Sequence, residues 1–583
     1  MLLIECGLVL VAVLVAFLRP MFGSRYFEFA ERAFADLAGR RKLAVVVVAV
    51  ATLAIRAALI PVLPVPEPIV HDEFGYLLAA DTFAHGHVTN PPHPMWVHFE
   101  TFSVLQQPTY QCYGPPMQGL VLAAGSLIGG HPFWGVWLSA GLMCAAICWM
   151  LRGWLPAPWA LLGGVLAILR LGTLTYWANS YWGGATGAIG GALVLGALPR
   201  IMQSQRIRNA ILMGVGLAVL ANSRPYEGFI LCLPVALAML AWMVGRNGPD
   251  IRTSLRKIVL PLGLLLAAVV IAMGYYNWRV TGRPMRTPYQ VEQATYAVAP
   301  YMIWQSPKVE PVYHHEIIRR MYGDAMQAYS LSRSVVGPLG KALWLWLFFV
   351  GPVLTLPIVM ALFFLPYNFS WRQVRRKTEF LVFVLVVFLI GLLLEVFHAP
   401  HYAAPAACLI VALVLIPMRR LRAWRWRDKP VGLFMVRAIP TICVIMFLVR
   451  VSANALRMPL PDSHAPAWFQ KGPASFGRAQ IVEQLQKLPG QQLVFVRYSS
   501  SHQPFDEWVY NDADINASKV VWAHAMTPTE DQQLIDYFPG RQVLLLEPDQ
   551  GPPRLLPYVR AGGTTDHGSS SVGSDFVSDP LKP

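Results

Sequence analysis

The chain has 583 residues, 55% of them hydrophobic and only 14% charged, with a mean hydropathy of +0.46. A soluble protein of this length carries about a quarter charged residues, so the composition excludes a water-soluble fold and predicts a polytopic membrane protein. The formal net charge of +15 is spread over short basic clusters between apolar runs. That is the positive-inside pattern of membrane topology, and it argues against nucleic-acid binding.

The opening MLLIECGLVLVAVLVAFLRP has no basic start and no A-x-A site and carries Glu5. A spanning helix is expected there rather than a signal peptide. Apolar runs near 3–19, 43–61, 131–151, 158–175, 183–199, 209–222, 227–245, 258–276, 338–365, 379–397, 401–417 and 431–450 predict about twelve spans. Clusters at Arg40–Lys42, Arg200–Arg208, Arg246–Lys257, Arg372–Lys377 and Arg419–Lys429 mark alternate loops as cytoplasmic. The complementary loops, above all 62–130 and 277–337, and everything after 451 are then outside.

From about 478 the sequence turns soluble-like. Residues 478–488 have helical spacing, and LVFVRY (493–498), VVWAHAM (520–526) and QVLLLEP (542–548) read as buried strands. Thr527-Pro528-Thr529-Glu530 reads as a capping box opening a helix to about 538, so a small α/β unit with parallel pairing is expected. The predicted organisation is an extra N-terminal helix and cytoplasmic loop (1–42), a membrane domain (43–451), an outer-side α/β domain (452–560) and a disordered Gly/Ser/Asp-rich tail (561–583). Of the 7 Cys, only Cys112 falls in an outer loop, and no pair has zinc-ligand spacing.

Candidate chemistry gathers at the outer helix ends. His71-Asp72-Glu73 opens the first long loop, and Tyr76 follows Asp72 at helical spacing. An acid at a helix start is ordinarily a first-turn acid favoured by the dipole. Other polar residues on the same side argue for more: Asn179 to Trp182, Arg224 to Glu227, and Glu395, His398, His401 and Tyr402. The loop 277–337 is basic although it must lie outside, with Arg279, Arg283 and Arg286 at its start. An anionic lipid phosphate would account for that, because Arg binds phosphate through paired hydrogen bonds; snorkelling Arg in an aromatic belt is the alternative. His314-His315-Glu316 and Asp512-x-Asp514 lack the further ligands a metal site needs. Arg56 and Arg170, inside apolar runs, read as packed or snorkelling side chains.

The order of these motifs resembles the GT-C class of membrane glycosyltransferases, which includes the protein O-mannosyltransferases and the lipid A aminoarabinose transferase. Asp72-Glu73 followed by Tyr76 is similar to its D-E-x-x-Y start, Tyr113-Gly114-Pro115-Pro116 to its x-P-P motif, and Arg224-Pro225-Tyr226-Glu227 to an R-P-E-like turn. The resemblance covers roughly 43–450. It departs from the class in the extra first helix and in the lack of an acid between Asn179 and Trp182. That departure puts metal binding in doubt: a divalent metal is neither required nor ruled out.

The resemblance implies a sugar transfer from a polyprenyl-phosphate donor to a lipid, glycan or protein acceptor, by an inverting displacement on the periplasmic side of a bacterial inner membrane. It implies Asp72 as general base, Glu73 as the alternate, and a binding site formed by Tyr76, Arg224, Glu227, Arg279, Arg283, Arg286, His398, His401 and Tyr402. A transporter or flippase of a lipid-linked glycan, and a non-catalytic envelope scaffold, are the competing readings. Polar residues gathered at one face, rather than near the midplane, count against transport.

Overall fold

A computed structural model describes residues 1–246, 248–363, 372–472 and 477–559. The tail expected at 561–583 lies outside the described residues. The chain is an α-helical polytopic membrane protein with a small α/β unit near its C-terminus. Six helices are long and apolar enough to cross a membrane: Phe133–Trp154, Ala185–Ser204, Pro225–Val244, Ile251–Thr281, Pro400–Leu421 and Val431–Val451. Val336–Phe349 and Gly351–Phe363 make a seventh if the pair, bent by 100°, is one span.

Among the described residues the count by length and composition is thus six or seven, against about twelve apolar runs. Helix length accounts for three of the runs, at 3–19, 158–175 and 209–222, while those at 43–61 and 379–397 fall on the longer Arg41–Ala58 and Arg372–Leu393 helices, which carry charges at their ends. Leu2–Leu18, Pro116–Gly129, Ala157–Gly172 and Ile207–Ala221 are apolar but shorter. Gly351, at φ +62°, supplies the left-handed residue on which the bent pair turns.

Two buried arginines tie the bundle together. Arg170 sits in a wide turn at Ile168–Gly172, pairs with Glu5 of the first helix and lies 4.1 Å over the Trp468 ring. The N-terminal helix is therefore locked to the bundle by a buried charge pair, which is costly to break from one side. Arg56, near the end of the Arg41–Ala58 helix, donates to the carbonyls of Leu63, Pro64 and Ala178 at 3.1, 3.3 and 3.2 Å. It thereby fixes the Pro-rich entry to the first long loop against the turn that follows residue 176.

A two-stranded ribbon, β1 (Val104–Leu105) and β2 (Gln111–Cys112), lies in the first long loop. The C-terminal unit holds β3 (Gln492–Val496), β4 (Val520–His524), β5 (Gln542–Glu547) and β6 (Arg554–Pro557) in the order β4-β3-β5-β6. The first three are parallel and β6 is antiparallel. Thr527 caps the Pro528–Tyr537 helix that links β4 to β5, as its capping box predicts.

Parallel sheets need cover on both faces, and the alternation along the strands shows what covers each. Val494, Val496, Trp522 and Leu546 pack on Ile481 and Leu485 of the Arg478–Lys487 helix. Leu493, Phe495, Val521, Ala523 and Leu545 share a core with Phe74, Leu78, Phe99, Val104 and Tyr110 of the first long loop. The sheet and the helix that carries Asp72 are thus two sides of one hydrophobic core.

Candidate active site

Prolines at 61, 64, 66 and 68 keep the chain extended up to Val70, where the His71–Ala84 helix begins. Glu73 closes that start. Its Oε2 accepts from the backbone N–H of Ile69 at 2.9 Å and Val70 at 3.0 Å, and its Oε1 accepts from Tyr181 N–H at 2.8 Å. Glu73 is 2% exposed, so both oxygens are committed to joining the first loop to the Tyr181 turn. Burial pushes its carboxyl up, against the opposing pull of those backbone groups. The expectation of Glu73 as alternate base is corrected on this geometry: it has no oxygen turned to a substrate.

Asp72 points the other way. Its Oδ1 accepts from Ser103 Oγ at 2.7 Å and Tyr113 Oη at 3.2 Å, and its Oδ2 from Trp182 Nε1 at 2.8 Å. Its side chain keeps 20% of its surface open. Burial alone would raise the carboxyl, but the neighbouring His71 and the Ser103 hydroxyl outweigh it and hold Asp72 well below the usual carboxylate range. Ser103 reaches this position in a left-handed conformation, φ 62°, rare for a residue with a side chain. The approach needs Gly75: a Cβ there would lie 2.7 Å from the Ser103 carbonyl oxygen.

The Pro115-Pro116 helix brings in the remaining turns. Met117 N–H donates to Asn222 O at 3.0 Å, and Gln118 Nε2 to Tyr181 O at 2.9 Å. Arg224, next after that Asn222 turn, precedes the Pro225–Val244 helix. Its guanidinium lies 4.7 Å from the Tyr402 ring and 3.6 Å from Glu227, and it is in electrostatic range of Tyr76 and Tyr289. Among the described residues, no hydrogen bond ends on the hydroxyls of Tyr76, Tyr289 or Tyr402, and the Glu227 contact is the only ion pair of Arg224. Buried donors normally find partners; here three phenols without hydrogen-bond partners among the described residues converge on Arg224, and Asp72 is in electrostatic range of all three.

Asp72, Tyr76, Arg224 and Tyr402 therefore come together as expected, with Glu227 beside Arg224. His401 is 1% exposed, bonded through Nδ1 to Tyr176 Oη at 2.7 Å, and its ring lies 4.8 Å from Trp182. It supports the indole that binds Asp72 rather than lining the space itself. The other four expected residues lie apart from this cluster. Arg279 and Arg283 are exposed at the end of the Leu260–Thr281 helix, with Arg279 bonded to Tyr275 Oη at 3.1 Å. Arg286 is half-buried nearby, and His398 is exposed against Trp344. Among the described residues, no hydrogen bond or ion pair joins any of the four to Asp72 or Arg224. Helix ends place them at the bundle surface, where an arginine keeps its charge in water.

Sequence reasoning missed Ser103, Tyr289 and Glu292 and gave no role to Tyr113 or Trp182. Tyr113, Tyr289 and Tyr301 form a row with ring separations of 4.9 and 5.7 Å, and Tyr301 Oη donates to Glu292 at 3.3 Å. Burial raises the Glu292 carboxyl to about 7, against hydrogen bonds from Tyr322 and Tyr301. A polar motif at a helix end could point to Trp182; nothing in a single sequence marks the loop residues Ser103 and Glu292.

A second polar cluster joins the loops to the C-terminal sheet. Glu100 accepts from Tyr296 Oη at 2.7 Å and pairs with His314 Nδ1 at 2.8 Å. His315 stacks on His524 at 4.1 Å; their Nε2 atoms bond to the carbonyls of Val97 and Glu100, each at 2.7 Å. Glu316 pairs instead with Arg319. Asp512 and Asp514 accept from Ser518 and Ala517 at 3.0 Å each, within one turn. Among the described residues, no group of three or more His, Cys, Asp or Glu is arranged to hold a metal.

No protein-family model and no curated protein matches the sequence. Among solved structures, the chain is similar to ArnT from Cupriavidus metallidurans in the apo state, at 12% identity over 85% of this chain and 92% of that one, with a TM-score of 0.46. The same protein bound to undecaprenyl phosphate gives 11% identity, the same coverage and a TM-score of 0.46. The Archaeoglobus fulgidus oligosaccharyltransferase tethered to an acceptor peptide gives 10% identity over 85% of this chain and 68% of that one, with a TM-score of 0.42.

Proposed function

We propose that the chain is a membrane glycosyltransferase that moves a sugar from a polyprenyl-phosphate donor to a hydroxyl or amine of an acceptor. The observation that carries this reading is one cluster in which Asp72, held low by its neighbours, and Arg224 lie in electrostatic range of the same three phenols, Tyr76, Tyr289 and Tyr402. A carboxylate that keeps accessible surface can take the acceptor's proton. A guanidinium ringed by phenols can hold a phosphate and stabilise the charge that grows on it as the leaving group.

A groove of about 600 Å³, lined by Ile303, Trp304, Pro338, Ile390, Leu393 and Leu394 with Arg333 among its polar residues, opens two residues from Tyr301. Its apolar lining suits a lipid chain. In this reading the prenyl tail occupies the groove, the phosphate meets Arg224, and the sugar lies along the Tyr289–Tyr301–Glu292 wall. Attack from the Asp72 side, opposite the phosphate, inverts the sugar carbon. The positive-inside pattern of the loops favours the outer, periplasmic face of a bacterial inner membrane for the site and the C-terminal sheet. The test is release of polyprenyl phosphate from a labelled donor in proteoliposomes. Wild type releases it and passes the sugar on, whereas Asp72→Asn does not. Transfer at full rate by Asp72→Asn would remove the base assignment.

A further inference from the structure

We infer that His71 and Ser103 form a proton relay that carries the acceptor's proton from Asp72 to solvent, with His71 its terminal station. The inference rests on the proposed transfer for its purpose but on independent geometry for its existence. His71 Nδ1 lies 2.7 Å from Ser103 Oγ, and Ser103 Oγ lies 2.7 Å from Asp72 Oδ1. The direct Nδ1–Oδ1 separation is 3.4 Å, so the hydroxyl is the better path. Two costs are borne to put the hydroxyl there: Ser103 is left-handed at φ 62°, and residue 75 must lack a Cβ. A hydroxyl that only capped the helix would need neither.

The chemistry calls for such an outlet. A carboxylate held low by its neighbours is a weak proton acceptor, and an imidazole is by nature the stronger base. As the sugar carbon bonds to the acceptor heteroatom, its bond to the phosphate oxygen breaks and the electron pair leaves with the phosphate. The acceptor's proton passes to the Asp72 carboxylate. Once Asp72 is protonated, its carboxyl becomes the donor to Ser103 Oγ, and the hydroxyl, which donates to Asp72 at rest, turns to His71 in its Nε2–H tautomer; the two protons shift together, so that Asp72 and Ser103 are restored. His71 releases one proton to water. One proton enters at the acceptor and one leaves at His71, with no other reactant.

The ring of His71 keeps 15% of its side-chain surface open. It lies 6.1 Å from Phe102 and 5.7 Å from Phe505 of the C-terminal part, and His464 stacks on the far side of Phe505. Asp72, on its own helix, is 3.4 Å from His71 Nδ1, and beyond Phe505 come His464, stacked on that ring, and Asp506, next to it in sequence. His401 also acts electrostatically on Asp72.

The test compares the pH dependence of kcat for wild type and His71→Asn, a variant that can still bond to Ser103 but cannot titrate. Only a neutral ring can take the proton, so the relay gives wild-type kcat a rising limb with pH that depends on a side chain the variant lacks. The variant should lose that limb, fall about tenfold in kcat with KM unchanged, and recover in part with imidazole in the buffer. Glu292 also titrates near neutral pH but persists in both proteins, so the difference isolates His71. A kcat profile unchanged in shape and within twofold in size overturns the relay.

Histidine NMR of the chain in nanodiscs provides a readout that needs no transfer. Removing the carboxylate with Asp72→Asn should shift the His71 ring-nitrogen resonances at fixed pH, through Ser103 Oγ. Unmoved resonances overturn the relay even in an active enzyme. Moved resonances in a chain that transfers no sugar keep the wire and remove the transfer reading.

Discussion

Two polar clusters lie some thirty residues apart in the first long loop, and they differ in what they leave unpaired. Around Glu100, His314, His315 and His524, each ring and carboxylate has a partner within the fold, and the cluster joins loops to sheet. Around Asp72 and Arg224, three phenols have no hydrogen-bond partner among the described residues, and the guanidinium is paired on one side only, to Glu227. Both are rich in titratable groups, so abundance of charge does not distinguish a site from a seam. What distinguishes them is whether the hydrogen-bonding capacity is spent.

The comparison breaks most sharply at Asp72 and Arg224. Asp72→Asn should lower transfer by about 10² to 10⁴-fold, and Arg224→Gln by about 10²-fold, with melting temperatures of the purified proteins close to wild type. A large drop in melting temperature for either would class the open cluster with the closed one.

Glu73→Gln should act in the opposite sense. It sets an amide N–H against a backbone donor and should cost about 1–3 kcal/mol of stability in a thermal melt, while the folded fraction keeps most of its transfer rate.

The closed cluster should respond to pH. Burial depresses His315 to about 3, helped by His524, and depresses His524 to about 4. Histidines with lowered values bind fewer protons docked than undocked, so docking is fully favourable above about pH 6.5 and weakens below it, by up to about 1.4 kcal/mol per pH unit for each ring. Protection factors, corrected for the intrinsic pH dependence of exchange, should therefore fall in β3 and β4 as pH drops from about 6.5 to 5. Constant protection would show that the rings do not couple to docking. The smallest effect is expected at Arg279 and Arg283, where alanine should change transfer less than twofold; a tenfold loss would return them to the site.

Apolar runs and composition were enough to read a polytopic membrane protein from the sequence, because burial in lipid constrains every residue of a span. The strands 493–498, 520–526 and 542–548 and the Thr527 cap were legible for a similar reason: alternation and capping are local. Asp72, Arg224 and Tyr402 could be nominated because polar residues at apolar helix ends are few. The tertiary structure alone separated Asp72 from Glu73, adjacent in sequence, by turning one to backbone donors and the other to Ser103, Tyr113 and Trp182. It alone removed Arg279, Arg283, Arg286 and His398, whose charge was visible but whose exposure was not. Local pattern reports which residues a helix or strand must bury; which partners meet across 30 or 150 residues is decided by loop paths, and those depend on close approaches such as Gly75 against Ser103.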